Sequence, residues 1–162
     1  KSPVDLAVAG PRFIEAIEKL RAGALENDGL NRLVLGAGLA WREIAIVRAY
    51  AKYLRQAGIP FSQEYMERAL AAYPKVARLL VGLFVARFDP TLGDAGSGER
   101  VARIASIEAD FASSLEAVTT LDEDRILRRF IEVGNGARRL RMVALSRRSC
   151  TGAVGQGDGC PP

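Results

Sequence analysis

A chain of 162 residues, 49% of them apolar, is long enough to close one hydrophobic core, since a domain near this size buries roughly 70% of the surface its unfolded chain exposes. It contains no histidine, which excludes a histidine-dependent triad, an imidazole metal ligand and the side chain that titrates nearest neutrality. The net charge of +4 does not read as a nucleic-acid footprint, because residues 1–132 are charge-balanced and the excess comes from Arg138, Arg139, Arg141, Arg147 and Arg148 set against Asp158 alone.

The opening KSPVDLAVAG has neither the basic flank and apolar run of a signal peptide nor a span of ~20 apolar residues. No membrane partner and a cytoplasmic setting are therefore expected. The chain starts on Lys1 rather than methionine, which points to an internal piece of something longer. Pro11 with Phe13, Ile14, Ile17 and Leu20 predicts a first helix, the proline sitting in its opening turn, and Gly23 predicts its end. Asn27, Asp28 and Gly29 then supply cap and turn chemistry before a short helix with Leu30, Leu33, Val34 and Leu35, closed by Gly36-Ala37-Gly38.

The helix from Trp41 to about Ala57 groups Ala40, Ile44, Val47, Ala51 and Leu54 at 100° per residue, with Ile46, Tyr50 and Tyr53 widening the apolar side. Arg48, Lys52 and Arg55 form a narrow basic stripe opposite. As function, that stripe headed by Trp41 would grip an acidic partner or phosphate. As structure, it is a solvated face whose Trp41 packs on the preceding helix, and this is the preferred reading because long basic side chains normally line the wet side of a half-buried helix. Gly58-Ile59-Pro60 breaks the helix. Ser62 then reads as an N-cap, with a hydrophobic staple from Phe61 to Met66.

Pro74 opens a further helix in which Val76, Leu79, Leu80, Leu83 and Phe84 recur at core-facing spacing, and Asp89-Pro90 ends it. TLGDAGSG, residues 91–98, is an interior linker. Its glycines lack the Gly-Lys-Ser/Thr of a phosphate loop, and Gly36-x-Gly38 fails as a dinucleotide turn because Trp41 occupies the third glycine position. From Glu99 a long helix places Val101, Ile104, Ile107, Phe111, Leu115 and Val118 on one side and Arg100, Arg103 and Asp110 away from it. Thr120 with Glu123 fits a capping box for the last helix, whose apolar side carries Leu127, Phe130 and Ile131. Asp122, Glu123 and Asp124 read as acids complementing a helix dipole rather than as a metal site.

The fold class expected is all-α, an array of about six to seven helices with a disordered C-terminal tail. The helical domain spans 1–132, with loop 89–98 inside it, and a Gly/Arg-rich tail spans 133–162. Cys150 and Cys160 both lie in that tail, at a spacing that fits neither a redox pair nor a zinc knuckle. No catalytic, cofactor-binding or metal-ligating residue is assigned.

GALENDGLNRLVLGAGLAWREIAIVRAYAKYLRQAGIPFSQ, the helix ending in ARFDP, and LDEDRILRRF together resemble the large bacterial NAD-specific glutamate dehydrogenases. The resemblance covers about residues 23–132, interrupted near 91–100, and rests on three separated blocks in one order, Glu26 to Gln63, Ala86 to Pro90 and Leu121 to Phe130. It implies a segment of the helical region preceding the catalytic domain of a large, homo-oligomeric cytoplasmic enzyme that oxidises L-glutamate to 2-oxoglutarate and ammonia with NAD. The family's active-site lysines and glycine-rich cofactor turn lie beyond this chain, so the segment alone is expected to be inactive, with the catalytic domain or neighbouring subunits as its partners. Arg48, Lys52 and Arg55 are the candidate contact. After Ile131 the sequence departs from the family's regular helix, and a shifted reading frame or degraded gene from about Val133 is the expectation drawn from that. A stand-alone interaction module, using the 41–57 and 74–88 helices, is the alternative.

Overall fold

The computed structural model describes residues 6–92 and 97–136. Their backbone forms seven α-helices: α1 (Leu6–Arg21), α2 (Leu33–Gly36), α3 (Trp41–Gln56), α4 (Gln63–Ala72), α5 (Pro74–Phe88), α6 (Gly98–Leu115) and α7 (Leu121–Gly136). Short 3-10 turns at Gly29–Arg32 and Pro90–Leu92 complete it, and no strand occurs among the described residues. The all-α expectation holds. The tail beyond Gly136, with both cysteines and most of the frame-shift reading, lies outside the described residues. Val133 to Gly136, assigned to that tail from sequence, instead continue α7.

Local sequence accounts for most helix ends. Ser62 accepts the Tyr65 N–H at 3.1 Å to start α4, and Pro74 at the first turn of α5 gives up an N–H that no intrahelical carbonyl needed. The ring recorded against Phe61 is Tyr65, edge-on at 5.9 Å, one residue short of the expected staple partner Met66, which is wholly buried. Thr120 accepts the Glu123 N–H at 3.4 Å and donates its hydroxyl to the Glu123 carboxylate at 2.7 Å, tying the start of α7 as its spacing promised. Ser97, read from sequence as linker, accepts the Arg100 N–H and caps α6.

Pro11 is a correction. It lies inside α1 rather than in its opening turn, because the helix begins at Leu6. Ala7 and Ala9 ahead of the proline are the best helix formers, and they offset the poorer propensity of Gly10 in the turn before it.

The core is built where α3, α5 and α7 meet, with α4 and the 3-10 turn at 29–32 closing one side. Ile44, Val47 and Ala51 of α3, Leu80 and Leu83 of α5, and Ile126, Leu127 and Phe130 of α7 are all fully buried. α6 lies along α5; Phe111 is its one buried apolar residue among the described ones, with Ile104, Ile107 and Leu115 half-buried. Val101, expected on its core side, is exposed, because α6 packs chiefly on α5, which covers only a narrow arc, and residue 101 falls outside it.

Tyr50 sits inside this core against Phe84, their rings 6.5 Å apart, and its buried hydroxyl has no hydrogen-bond partner among the described residues. Burial pushes its pKa up to about 12, against a smaller opposing pull from Arg87. The folded state thus keeps a proton that the unfolded chain releases near pH 10. The stabilisation is complete below pH 10 and is lost as pH rises towards 12, by about 2–3 kcal/mol in all. Tyr50→Phe is expected to remove that alkaline loss and to leave neutral-pH stability unchanged or slightly raised, as urea midpoints at pH 8 and pH 11.5 would report.

Candidate functional site

The basic stripe of α3 does not stand free. Arg48 is 5% exposed, and its guanidinium grips the Asp28 carboxylate with two nitrogens, the second bond 2.9 Å long, while also donating to the Asn31 side chain at 3.1 Å and the Glu26 carbonyl at 3.4 Å. Asp28 in turn accepts the Leu30 N–H at 3.1 Å as N-cap of the 3-10 turn. Lys52, one turn on, pairs with Glu26. Lys52 and Arg55 are both exposed. The expected solvated face is therefore corrected at Arg48, a buried clamp on residues 26–31, and holds at Lys52 and Arg55.

Beside this clamp, Glu67 of α4 is a buried carboxylate held by the Gly29 N–H at 2.9 Å and the Gln63 amide at 2.8 Å. A Cβ at position 29 would lie 2.6 Å from the Glu67 Oε2, so only glycine allows this approach. The carboxylate has no reacting geometry around it; one oxygen fastens the 3-10 turn to α4, and the other is held by Gln63 within α4.

Trp41 packs on α1. Its indole N–H donates to Glu15 at 2.8 Å, and Lys19 and Arg42 stand over its ring at 5.6 and 5.0 Å. The acids of α7 are likewise occupied: Asp124 binds Arg128 at 2.7 Å, Asp122 lies 3.7 Å from Arg125, and Glu123 accepts the Tyr73 hydroxyl at 3.0 Å. No cluster able to hold a metal ion occurs among the described residues.

Two buried or half-buried arginines perform the same task at helix ends. Arg100 of α6, expected on the wet side, is buried and donates to the carbonyls of Arg87 and Asp89, at 2.9 and 2.7 Å, at the end of α5. Arg87 of α5 donates to the carbonyls of Gly134 and Asn135 and to the Asn135 side chain at the end of α7. Guanidinium groups satisfy orphan carbonyls at helix C-termini and complement their negative dipole end.

An NAD-binding turn requires a strand, a glycine-rich turn and a helix opening on the phosphates. The residues described do not fit it: the glycines with positive φ, Gly23, Gly38 and Gly58, follow the ends of α1, α2 and α3 rather than a strand. An open cleft of about 390 Å³ lies between the end of α3 and α7, lined by Tyr53, Leu54, Ile59, Pro60 and Val133, with Arg129 and Glu132 joined to each other at 2.7 Å. Its charged lining is self-neutralised.

What sequence reasoning missed is an outward apolar face. Phe13, Ile14 and Ile17 of α1 are 44%, 60% and 39% exposed, whereas Ala9 and Ala16 face inward and are buried. Periodicity identified the apolar residues as a helix without saying which side faces the core; the small size of the inward residues was the available signal.

Residues 25–90 match the family model described as glutamate dehydrogenase, helical motif 3. Over 124 residues the chain is 43% identical to the NAD-specific glutamate dehydrogenase of Halomonas elongata, covering 76% of this chain and 7% of that protein. Over 127 residues it is 45% identical to the enzyme of the same name from Mycobacterium tuberculosis, covering 78% of this chain and 8% of that one. The Pseudomonas aeruginosa protein of the same name is 38% identical over 134 residues, 80% of this chain and 8% of its own length. The chain thus spans less than a tenth of the relatives it matches, and no single helix among the described residues is long and apolar enough to cross a membrane. By the helical motif at 25–90 and by identity over most of its length, the chain belongs to the NAD-specific glutamate dehydrogenase family, as a helical segment of it.

Proposed function

We propose that this chain is a non-catalytic, supporting segment of an NAD-dependent glutamate dehydrogenase, the whole enzyme converting L-glutamate to 2-oxoglutarate and ammonia with NAD as electron acceptor. The observation that carries this reading is the employment of the ionisable side chains. Arg48, Asp28, Glu67, Arg87 and Arg100 are each engaged in fastening one helix or turn to another. General acid–base work needs a titratable group aimed at open space with its proton available, and these groups are aimed at backbone or at each other.

In this reading the segment contributes a rigid helical body to the larger protein, and its partners are the catalytic domain or neighbouring subunits of a cytoplasmic homo-oligomer. Arg55, exposed like Lys52 but outside the ion pairs among the described residues, is the part of the α3 stripe still available for such contact. The purified chain, incubated with L-glutamate and NAD, is expected to give no NADH absorbance at 340 nm above a protein-free control (~zero turnover, against the 1–10³ per second of ordinary enzymes). Glutamate-dependent reduction that persists after further purification would refute a supporting role.

A further inference from the structure

α1 is attached to the rest of the molecule in an inverted way. Its inner side carries one large apolar residue, Leu20, half-buried against the core, and otherwise small or polar contacts: Ala9 and Ala16 are buried, Arg12 donates to the Gly38 carbonyl, Glu15 accepts the Trp41 indole N–H, and Lys19 lies over the Trp41 ring. Three other large apolar side chains, Phe13, Ile14 and Ile17, point outward and share one stripe at i, i+1 and i+4. A helix meeting only water on that side ordinarily carries charge there, and a helix with one covered face ordinarily turns its largest apolar groups to that face.

We infer that the Phe13–Ile14–Ile17 face of α1 is a docking surface, covered in the full-length enzyme by an apolar surface from another segment of the same polypeptide. The inference rests on the supporting role proposed above and names where that support is made. Two arguments select this occupant over a second copy of the chain. Three side chains are far fewer than the roughly 20–30 residues per partner of a stable interface between separate molecules. A segment joined covalently faces an effective concentration on the order of millimolar, at which a patch this small suffices, and the relatives carry more than nine-tenths of their length outside the matched region.

The test uses a full-length Pseudomonas aeruginosa relative carrying residues 6–136 of this chain in place of its own matching segment, with the photo-crosslinking residue p-benzoylphenylalanine at position 14, or at exposed Glu64 as control. Irradiation is expected to join position 14 to a residue outside the grafted segment within one polypeptide, several-fold more than from position 64. A crosslinked species of doubled mass would assign the face to a subunit contact and overturn the inference. Yields equal to the control would overturn it as well, showing the face to be wet. Turnover by the isolated chain tests the supporting role separately and does not bear on where the crosslink falls.

A second measurement holds if the graft proves insoluble. The 162-residue chain is expected to sediment as a monomer and to bind an apolar fluorescent dye, with binding reduced several-fold in Ile14→Glu at unchanged helical circular dichroism. Dye binding unchanged by Ile14→Glu, or a dimer abolished by it, would contradict the inference.

Discussion

Arg48→Ala is expected to cost the fold about 3 kcal/mol, at the lower end of the range for breaking a buried ion pair because Asp28 retains some exposure. The mechanism is the charge left behind. With the guanidinium gone, the Asp28 carboxylate keeps only the Leu30 N–H among its recorded partners, and Asn31 and the Glu26 carbonyl lose a donor. Arg55→Ala, on the same helix and the same stripe but exposed, is expected to change stability by no more than about 0.5 kcal/mol. Arg48→Met combined with Asp28→Asn should recover part of the loss, since the charge is removed at both ends and asparagine still caps the turn. Urea midpoints with unchanged slope are the measurement. Equal small effects at 48 and 55 would mean that the stripe is solvated after all.

Phe130→Ala is expected to cost about 3–5 kcal/mol. Phe130 is fully buried on α7, the helix that touches α3, α4 and α5, so truncation opens a cavity where these elements converge and no mobile edge is available to fill it. Val101→Ala provides the contrast. Its side chain is about half exposed, and the exchange should fall within about 0.5 kcal/mol of wild type. Thermal midpoints should follow the same order. A small effect at 130 would place the core elsewhere.

Much of the fold was legible in the residues because it is local. Ser62 and Thr120 announce helix starts through side-chain chemistry three residues long, and Pro74 and Asp89-Pro90 bound α5 by the fixed geometry of proline. The Leu80 and Leu83 spacing names a buried face that is indeed buried. The clamp at Arg48 was not legible from periodicity, because the partner lies 20 residues upstream and a helical wheel contains no upstream residues. A signal was nonetheless present: Glu26 and Asp28 precede Arg48 and Lys52, two acids ahead of two bases one helical turn apart. The outward face of α1 and the exposure of Val101 share another cause. An amphipathic pattern tells which side of a helix is apolar, but not whether the structure in hand supplies the cover. In a segment spanning less than a tenth of its relatives, that distinction decides the reading.

The guanidinium of Arg100 closing α5, and that of Arg87 closing α7, have a consequence for how the molecule comes apart. Each helix ends properly only while its neighbour is in place, so unwinding α6 withdraws the donor from α5, and unwinding α5 withdraws the donor from α7. Fraying in one helix is passed in a fixed direction to the last described turn, at Gly136. A relay of two arginines thus makes the end of α7 sensitive to the state of α6, a helix two elements away in the relay.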